Sequence, residues 1–380
     1  MNHKPFCNTE IIFSNKKELE QKLLSLNLKN LVLVMSESAV LRWEMVPLVE
    51  ELRTKCESLG GTFTWIKAVA ANPTQSTLIT ALRKIGNKKV DTIIAFGGGS
   101  SIDLAKGISL FHSIEKNNAY TTEVIMESIK NKRYKNGESV DIIAVPSTAG
   151  SGSEVTQWAT IWDDNKTGKF SIDHPSLKPK LAMIVPELTR SLSREMTLST
   201  GLDAMCQAIE SYWSKHTTPV VQEIAFRAIE LITGNLRKAI LEPNNIQVRE
   251  RMCRASVLAG FAFSQTRTTA CHSISYPLTM LYGVPHGLAA SITLDAVGKI
   301  NKGHFTNDNE LFSLFKEYGG IRNWINMVSQ GVIEMRLSSF GITEKDIPLI
   351  VHKAFTGGRM DNNPVDLSRE DVDQILKTII

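Results

Sequence analysis

Hydrophobic positions follow two different rhythms along the chain. In the first half, short apolar and β-branched runs at 31–35 (LVLVM), 63–66 (FTWI), 92–96 (TIIAF) and 141–145 (DIIAV) read as buried strands. Between them, 46–59 and 74–85 carry the spacing of amphipathic helices. That alternation predicts a doubly wound parallel sheet. Further strands are expected at 158–162 (WATIW) and 181–185 (LAMIV), separated by a loop rich in Lys, Asp, Gly and Pro. After about Pro186 the texture changes. Helices are predicted over 200–214, 219–239, 246–262, 311–318, 321–328, 347–354 and 369–379, several of them set apart by Pro and Gly. The expected fold is α/β plus all-α, with a parallel-sheet domain over 1–185 and an all-helical domain over 186–380.

Composition removes several function classes. A chain of 380 residues is long enough for two cores. A formal charge of +4 over that length supports neither a nucleic-acid nor a membrane partner. No stretch approaches the ~20 apolar residues of a membrane span. Cys7, Cys56, Cys206, Cys253 and Cys271 are scattered, with no CxxC pair. Their odd number and wide spacing favour reduced thiols. The start, MNHKPFCNTEIIFS, has no apolar core of a signal peptide, so a cytoplasmic protein is expected.

Two Gly/Ser loops follow predicted strands. Gly97-Gly98-Gly99-Ser100 opens a helix after 92–96. Glycines there allow close backbone approach to a pyrophosphate, and a helix N-terminus offers N–H groups and a positive dipole. The pattern is not GxGxxG, and a tight strand-to-helix turn explains the same residues. Asp103 has three candidate roles: orienting the loop, contacting ribose, or serving as a first-turn acid. The second loop, 146–154 (PSTAGSGSE), offers Ser147, Thr148 and Ser151 at the carboxyl edge of the sheet, where such folds bind ligands. Ser/Thr turn chemistry is its simpler explanation. Two such loops after two strands of one Rossmann-like sheet make a shared ligand cleft a better reading than either loop would alone.

The second half carries a dispersed polar set. Asp203 and Gln207, in GLDAMCQAIE, are four apart and share a helical face. His272 and His286 flank SISYPLTMLYGVP. Each alone carries little: Asp203 reads as a helix cap, Gln207 says less still, His272 reads as a core histidine and His286 as a turn residue. Together, a carboxylate and two imidazoles meeting at one point form a divalent-metal site. Cys206 and Cys271 read as small core residues rather than ligands.

In order along the chain, FGGGSSIDLAK, PSTAGSGSEVT, HPSLKPKLAMIVPELT, GLDAMCQAIESYW and AGFAF…CHSISYPL…GVPHG resemble the iron-containing, group III alcohol dehydrogenases. The resemblance spans nearly the whole chain. It implies NAD(P) on the α/β domain, iron or zinc on the helical domain, a cleft where the two meet, and a homodimer. That family's first metal motif reads Asp-x-x-x-His; here it is Asp203-x-x-x-Gln207. Its later motif has two histidines four apart; here it is His272 and Tyr276, followed by His286. Asp203, His272 and His286 carry over as ligands, and Gln207 carries over by position. A Gln oxygen is neutral and harder than imidazole, so a labile site is expected. Three strong ligands and an open position still suit a catalytic zinc. Tyr276, whose side chain type ionises near ~10, is a candidate proton donor; a wedge before Pro277 is its structural alternative.

The implied reaction is reversible, metal-assisted hydride transfer between NAD(P)H and a small aldehyde. Candidate cofactor contacts are Ser36, Gly97, Gly98, Gly99, Ser100, Asp103, Ser147, Thr148, Ser151 and Lys169. Ser36 stands where many NAD-preferring relatives have Asp, which favours NADP, although Glu37 opposes a 2′-phosphate. SQTRTTACHSISYPLT is similar to phosphonoacetaldehyde reductases, which make 2-hydroxyethylphosphonate. Arg267 and Arg359 (in FTGGRMDNNP) are candidate anion contacts, since guanidinium matches phosphonate oxygens; ion pairs are their simpler role. A dehydroquinate-synthase-like lyase, a glycerol-phosphate-type dehydrogenase and a nucleotide-binding non-enzyme with a decayed metal site are the alternatives.

Overall fold

The computed structural model describes residues 8–69, 72–112, 120–164 and 168–380. Cys7 lies outside them. The chain divides into two compact units, Met1–Thr148 with Ser153–Ser191, and Ala149–Gly152 with Leu192–Ile380. The short segment Ala149–Gly152 therefore packs with the second unit, an excursion that a single boundary near 185 does not include.

Among the described residues, the first unit has strands β1 (Glu10–Phe13), β2 (Asn30–Val34), β3 (Thr62–Ile66), β4 (Thr92–Gly97), β5 (Asp141–Pro146), β6 (Trp158–Trp162), β7 (Lys169–Asp173) and β8 (Leu181–Ile184). Its helices are α1 (Lys16–Ser25), α2 (Glu37–Arg42), α3 (Val46–Ser58), α4 (Gln75–Ile85), α5 (Gly99–Phe111) and α6 (Thr122–Lys130). Six strands form a wholly parallel sheet in the order β1-β8-β5-β4-β2-β3. Strand parity explains its two cores. Val32, Val34, Ile93, Ala95, Ile142 and Ala144 join Leu78 and Leu82 of α4 and Ile102 and Ala105 of α5. Leu31, Leu33, Ile94, Phe96, Ile143 and Val145 join Leu19 and Leu23 of α1 and Leu48 and Leu52 of α3. Because helices cover both faces, the interior strands β2, β4, β5 and β8 are near-continuous apolar runs, whereas the edge strand β3 alternates Thr with Phe and Trp. Burying one such Val, Leu, Ile or Phe side chain contributes ~1.5–3 kcal/mol, so a polar replacement at one of those positions destabilises the sheet.

The stretch 163–180 differs from the expected loop. It contains β7, which pairs antiparallel with β6 as a separate two-stranded ribbon. Residues 158–162 are a strand, but not a strand of the main sheet. In β7 only Phe170 and Ile172 are apolar, a period-2 signal too short to stand out against Lys and Asp. The edge strand β1, four residues long, is likewise absent from the expected pattern.

The second unit contains α7 (Arg194–Trp213), α8 (Pro219–Leu241), α9 (Ile246–Thr266), α10 (Ala270–Tyr282), α11 (His286–Ser291), α12 (Leu294–Asn301), α13 (Asp308–Ser313), α14 (Ile321–Ser329), α15 (Ile347–Lys353) and α16 (Arg369–Lys377). No strand occurs in it among the described residues. The helices α7, α8 and α9 pack on one another. Helix α7 starts well before residue 200, because the Ser193 side chain accepts from Met196 N and caps it. The helix expected over 311–318 is broken into α13 and a 3₁₀ turn, Lys316–Tyr318. Among the described residues, no helix is long and apolar enough to cross a membrane.

Candidate active site

The second unit gathers the dispersed polar set. Asp203 and Gln207 lie one turn apart on the buried side of α7. His272 sits in the first turn of α10, and the turn Gly283-Val284-Pro285 redirects the chain so that His286 opens α11. One donor atom from each of Asp203, His272 and His286 lies within 4.8 Å of the others. His272 Nε2 is 3.4 Å and His286 Nε2 3.9 Å from the same oxygen, Asp203 Oδ1. The imidazole rings are 5.4 Å apart and inclined by 68°. Asp203, Gln207 and His272 are buried, whereas the His286 side chain is 37% exposed, which marks the open side of the cluster.

The chemistry of this cluster fits a divalent cation. Asp203 Oδ1 and Gln207 Oε1 are buried without a hydrogen-bond donor; the 3.4 Å contact from His272 falls short of hydrogen-bond geometry. A buried acceptor left unmet costs ~1–3 kcal/mol, and a cation between these atoms meets both. Two buried carboxylates, Asp203 and Glu210, flank one imidazole, His272. Burial opposes ionisation of Asp203, yet His272 and His286 hold its carboxyl below the ordinary range. Burial also opposes the charged form of His272, but Glu210 and Asp203 outweigh it and raise its pKa to about 10. His272 thus carries a proton on each nitrogen, and a divalent cation binding at Nε2 would displace one of them. Two oxygens and two imidazole nitrogens form a donor set suited to iron or zinc.

Tyr276 follows His272 by one turn and is stacked on His286, ring centroids 6.3 Å apart and planes within 10°. Arg359 Nε donates to Tyr276 Oη at 3.2 Å, and its Nη1 donates to Gly358 O at 2.8 Å. Arg267 ends α9 with a left-handed φ of 61°. Its Nη1 lies 3.1 Å from where a Cβ on Gly358 would sit. Tertiary structure therefore brings Arg267, Arg359, Tyr276 and His286 into one neighbourhood. The Gly-rich segment that carries Arg359 is tied down, contrary to its flexible composition. Thr356 N donates to Ser273 Oγ at 3.1 Å, and Asn362 Nδ2 donates to Thr268 O and Gly358 O.

Glu210, absent from the candidates read off the sequence, is fully buried and accepts from Thr269 Oγ1 at 2.8 Å, from Cys271 N at 2.7 Å, and from His272 Nδ1. The signal was present: Glu210 stands seven residues after Asp203 and three after Gln207, on the same face of α7. Cys206 and Cys271 are both fully buried, and Cys206 Sγ is 3.8 Å from His272 Nδ1.

In the first unit, Gly98 caps α5 and Ser100 Oγ accepts from Asn72 N. Gly97 adopts φ 150°, and a Cβ there would lie 2.1 Å from Ser101 Oγ, so no other residue fits. Ser147 N donates to Gly97 O at 2.9 Å, and a Cβ on Gly98 would meet Thr148 Cγ2 at 3.2 Å, so these two loop segments adjoin. Asp103 lies in the second turn of α5, not the first, so the dipole role does not apply. Its carboxylate accepts from Ser153 Oγ at 3.1 Å and Thr160 N at 3.0 Å. Those bonds tie 153–160 to α5. Lys106 adds to them by donating to Thr156 O and Trp158 O, each at 2.8 Å. Ser36 caps α2 by accepting from Ala39 N. Lys169 lies on the β6–β7 ribbon opposite Trp162, with its charge near Asp103. Ser151 belongs to the segment that packs with the second unit.

Residues 8–186 match the family model of iron-containing alcohol dehydrogenase, and residues 197–380 match that of the Fe-containing alcohol dehydrogenase family, C-terminal. The chain belongs to the iron-containing alcohol dehydrogenase family. Alcohol dehydrogenase 4 of Schizosaccharomyces pombe is 28% identical over 88% of this chain and 79% of its own length. The NADPH-dependent butanol dehydrogenase of Clostridium saccharobutylicum is 27% identical over 97% of this chain and 96% of its own. The solved structure of sulfoacetaldehyde reductase from Bifidobacterium kashiwanohense in complex with NAD+ superposes with a TM-score of 0.84 at 27% identity, covering 100% of this chain and 99% of that one. The family's enzymes are oxidoreductases of alcohols and aldehydes that use NAD(P) and a divalent metal, and this chain is an enzyme of that kind.

Proposed function

We propose that the enzyme reduces a small aldehyde bearing an anionic group, such as phosphonoacetaldehyde, with NADPH as hydride donor. One observation carries this reading: two guanidiniums, Arg267 and Arg359, meet at Gly358 beside a tyrosine stacked on His286. Doubly donating arginines suit a tetrahedral anion far better than an alkyl tail. The Bifidobacterium relative is itself a reductase of an aldehyde with an anionic group, sulfoacetaldehyde.

Asp203, Gln207, His272 and His286 would hold the ion. A bound divalent ion supplies Lewis acidity at the substrate oxygen, and the nicotinamide supplies the hydride. Tyr276 donates a proton to the oxygen as negative charge develops there. Arg359 donates into Tyr276 Oη and so orients the phenol as a donor. Arg267 and Arg359 hold the far, anionic end of the substrate and set the distance of its carbonyl from the ligands.

The NADPH preference rests on the carboxyl ends of β2 and β3. Ser36 is small and uncharged, and the carboxylate of Glu37 is paired with Lys67 Nζ at 2.6 Å. Lys67 also lies over the Trp65 ring, 4.3 Å from its centroid. A cation at this point neutralises the acid that would otherwise repel a 2′-phosphate. The Clostridium relative is NADPH-dependent.

An NAD(P)H-oxidation screen tests all three parts, using aldehydes that include phosphonoacetaldehyde, with zinc and ferrous iron added separately. Phosphonoacetaldehyde with NADPH is expected to give the highest kcat/KM. Strong preference for NADH overturns the cofactor assignment. Preference for uncharged aldehydes overturns the substrate class. Full activity in rigorously metal-free protein overturns the role given to Asp203, His272 and His286.

A further inference from the structure

The four candidate ligands do not explain why His272 points its Nε2 at Asp203. The ring has two nitrogens, and only an outside partner selects which one faces the ion. Helix α10 begins at Ala270, and its N-cap, Thr269, makes no side-chain capping bond. The first N–H groups of a helix need acceptors, and its N-terminus attracts negative charge. Glu210 reaches across from α7 to meet that need. One of its oxygens, Oε1, accepts from Cys271 N at 2.7 Å, His272 N at 3.3 Å and Thr269 Oγ1 at 2.8 Å. Its other oxygen, Oε2, pairs with His272 Nδ1. Thr269 Oγ1 in turn accepts from Trp213 Nε1 at 2.9 Å, which fixes the direction of its own proton toward Glu210.

We infer that Glu210 is the positioning residue of the metal centre: one carboxylate fixes both the backbone of His272 and the tautomer of its ring, leaving Nε2 to the ion. The assignment rests on the metal reading above and goes beyond it, because it concerns a residue that touches neither ion nor substrate. A carboxylate is the only common side chain that accepts at both oxygens. Glu210→Gln keeps the shape but replaces one acceptor with an NH₂ donor. If that NH₂ faces His272, Nδ1 must become the acceptor, and the proton moves to Nε2, where it blocks the ion. If it faces α10 instead, it opposes the Cys271 and His272 N–H groups.

The test uses the full chain and zinc alone as the probe. Zinc affinity is measured by competition with a chromophoric chelator for wild type, Glu210→Gln and Glu210→Asp. Glu210→Gln is expected to bind zinc 10–100-fold more weakly, with Glu210→Asp between it and wild type. ¹⁵N correlation spectra of zinc-loaded wild type are expected to place the proton of His272 on Nδ1 and the metal on Nε2. That measurement stands even if Glu210→Gln does not fold. Zinc on Nδ1, or unchanged affinity in Glu210→Gln, overturns the assignment while leaving the metal reading intact. Wild type that takes up no zinc or ferrous iron overturns both.

Discussion

Replacing Gly287 by alanine is a sharp test of how the candidate ligands are brought together. Gly287 follows His286 at the start of α11, where that helix crosses α7. A Cβ at this position would lie 1.9 Å from Ser199 O, 2.8 Å from Ser199 C and 2.9 Å from Asp203 Cβ. Real Cβ contacts essentially never fall below 3.0 Å, so α11 must retreat from α7 by about 1 Å or more. The obstacle is backbone, which has no rotamer to change. His286 rides on the retreating helix, and its Nε2 already stands 3.9 Å from Asp203 Oδ1. Overpacking of this kind costs about 1–3 kcal/mol or somewhat more, and under the proposed assignment a bound ion would lose contact with the more exposed imidazole. Denaturant unfolding of metal-free protein is expected to show a loss of about 3 kcal/mol. Zinc affinity is expected to fall at least ~10-fold, the size of a ligand displaced rather than deleted. Gly287→Ala with wild-type stability and wild-type zinc affinity would refute the claim that close helix approach places His286.

Arg267→Ala is expected to lower kcat/KM for phosphonoacetaldehyde by ~10–100-fold, the ~1.5–3 kcal/mol of a charge-assisted hydrogen bond; equal losses on propionaldehyde remove its anion-binding role. Tyr276→Phe is expected to lower kcat by ~10²-fold, the lower end of general acid catalysis, with zinc affinity unchanged, and undiminished turnover excludes the phenol from proton transfer. Burial pushes the Glu154 carboxyl up from 4.5 to about 7, beside Lys106, whose pKa burial lowers to about 8. Between those carboxyl values the folded protein keeps a proton that the unfolded chain releases, so this residue's contribution to stability falls as pH rises and levels off above about 7. Glu154→Gln has no such loss and is expected to gain up to ~3 kcal/mol on wild type between pH 5 and pH 7.5; a difference independent of pH in denaturant unfolding contradicts the buried, protonated state.

The central strands of the parallel sheet were legible because they are buried on both faces. Runs such as LVLVM and TIIAF carry their burial in consecutive residues, and no partner need be known to see it. Strand β6 was legible, but β7 was not, because it draws its stability from pairing with β6 and from burying Ile172, neither of which a five-residue stretch announces. The candidate ligands divide in the same way. Asp203 and Gln207 share a turn of one helix, so their spacing alone places them together. His272 and His286 sit on different helices, and only the turn between α10 and α11 and the glycine contact with α7 aim them at one oxygen.

Local sequence thus decided residue chemistry, helical faces and the alternation of elements, since each depends on neighbours a few positions away. Tertiary structure alone decided that Glu210 caps a helix it does not belong to, that Arg267 and Arg359 meet at Gly358, and that Asp103 binds Ser153 and Thr160 instead of ending in solvent. Those contacts join residues roughly sixty, ninety or fifty positions apart. Burying such polar groups costs free energy that only their hydrogen bonds to one another offset, and those partners lie outside any one stretch of chain.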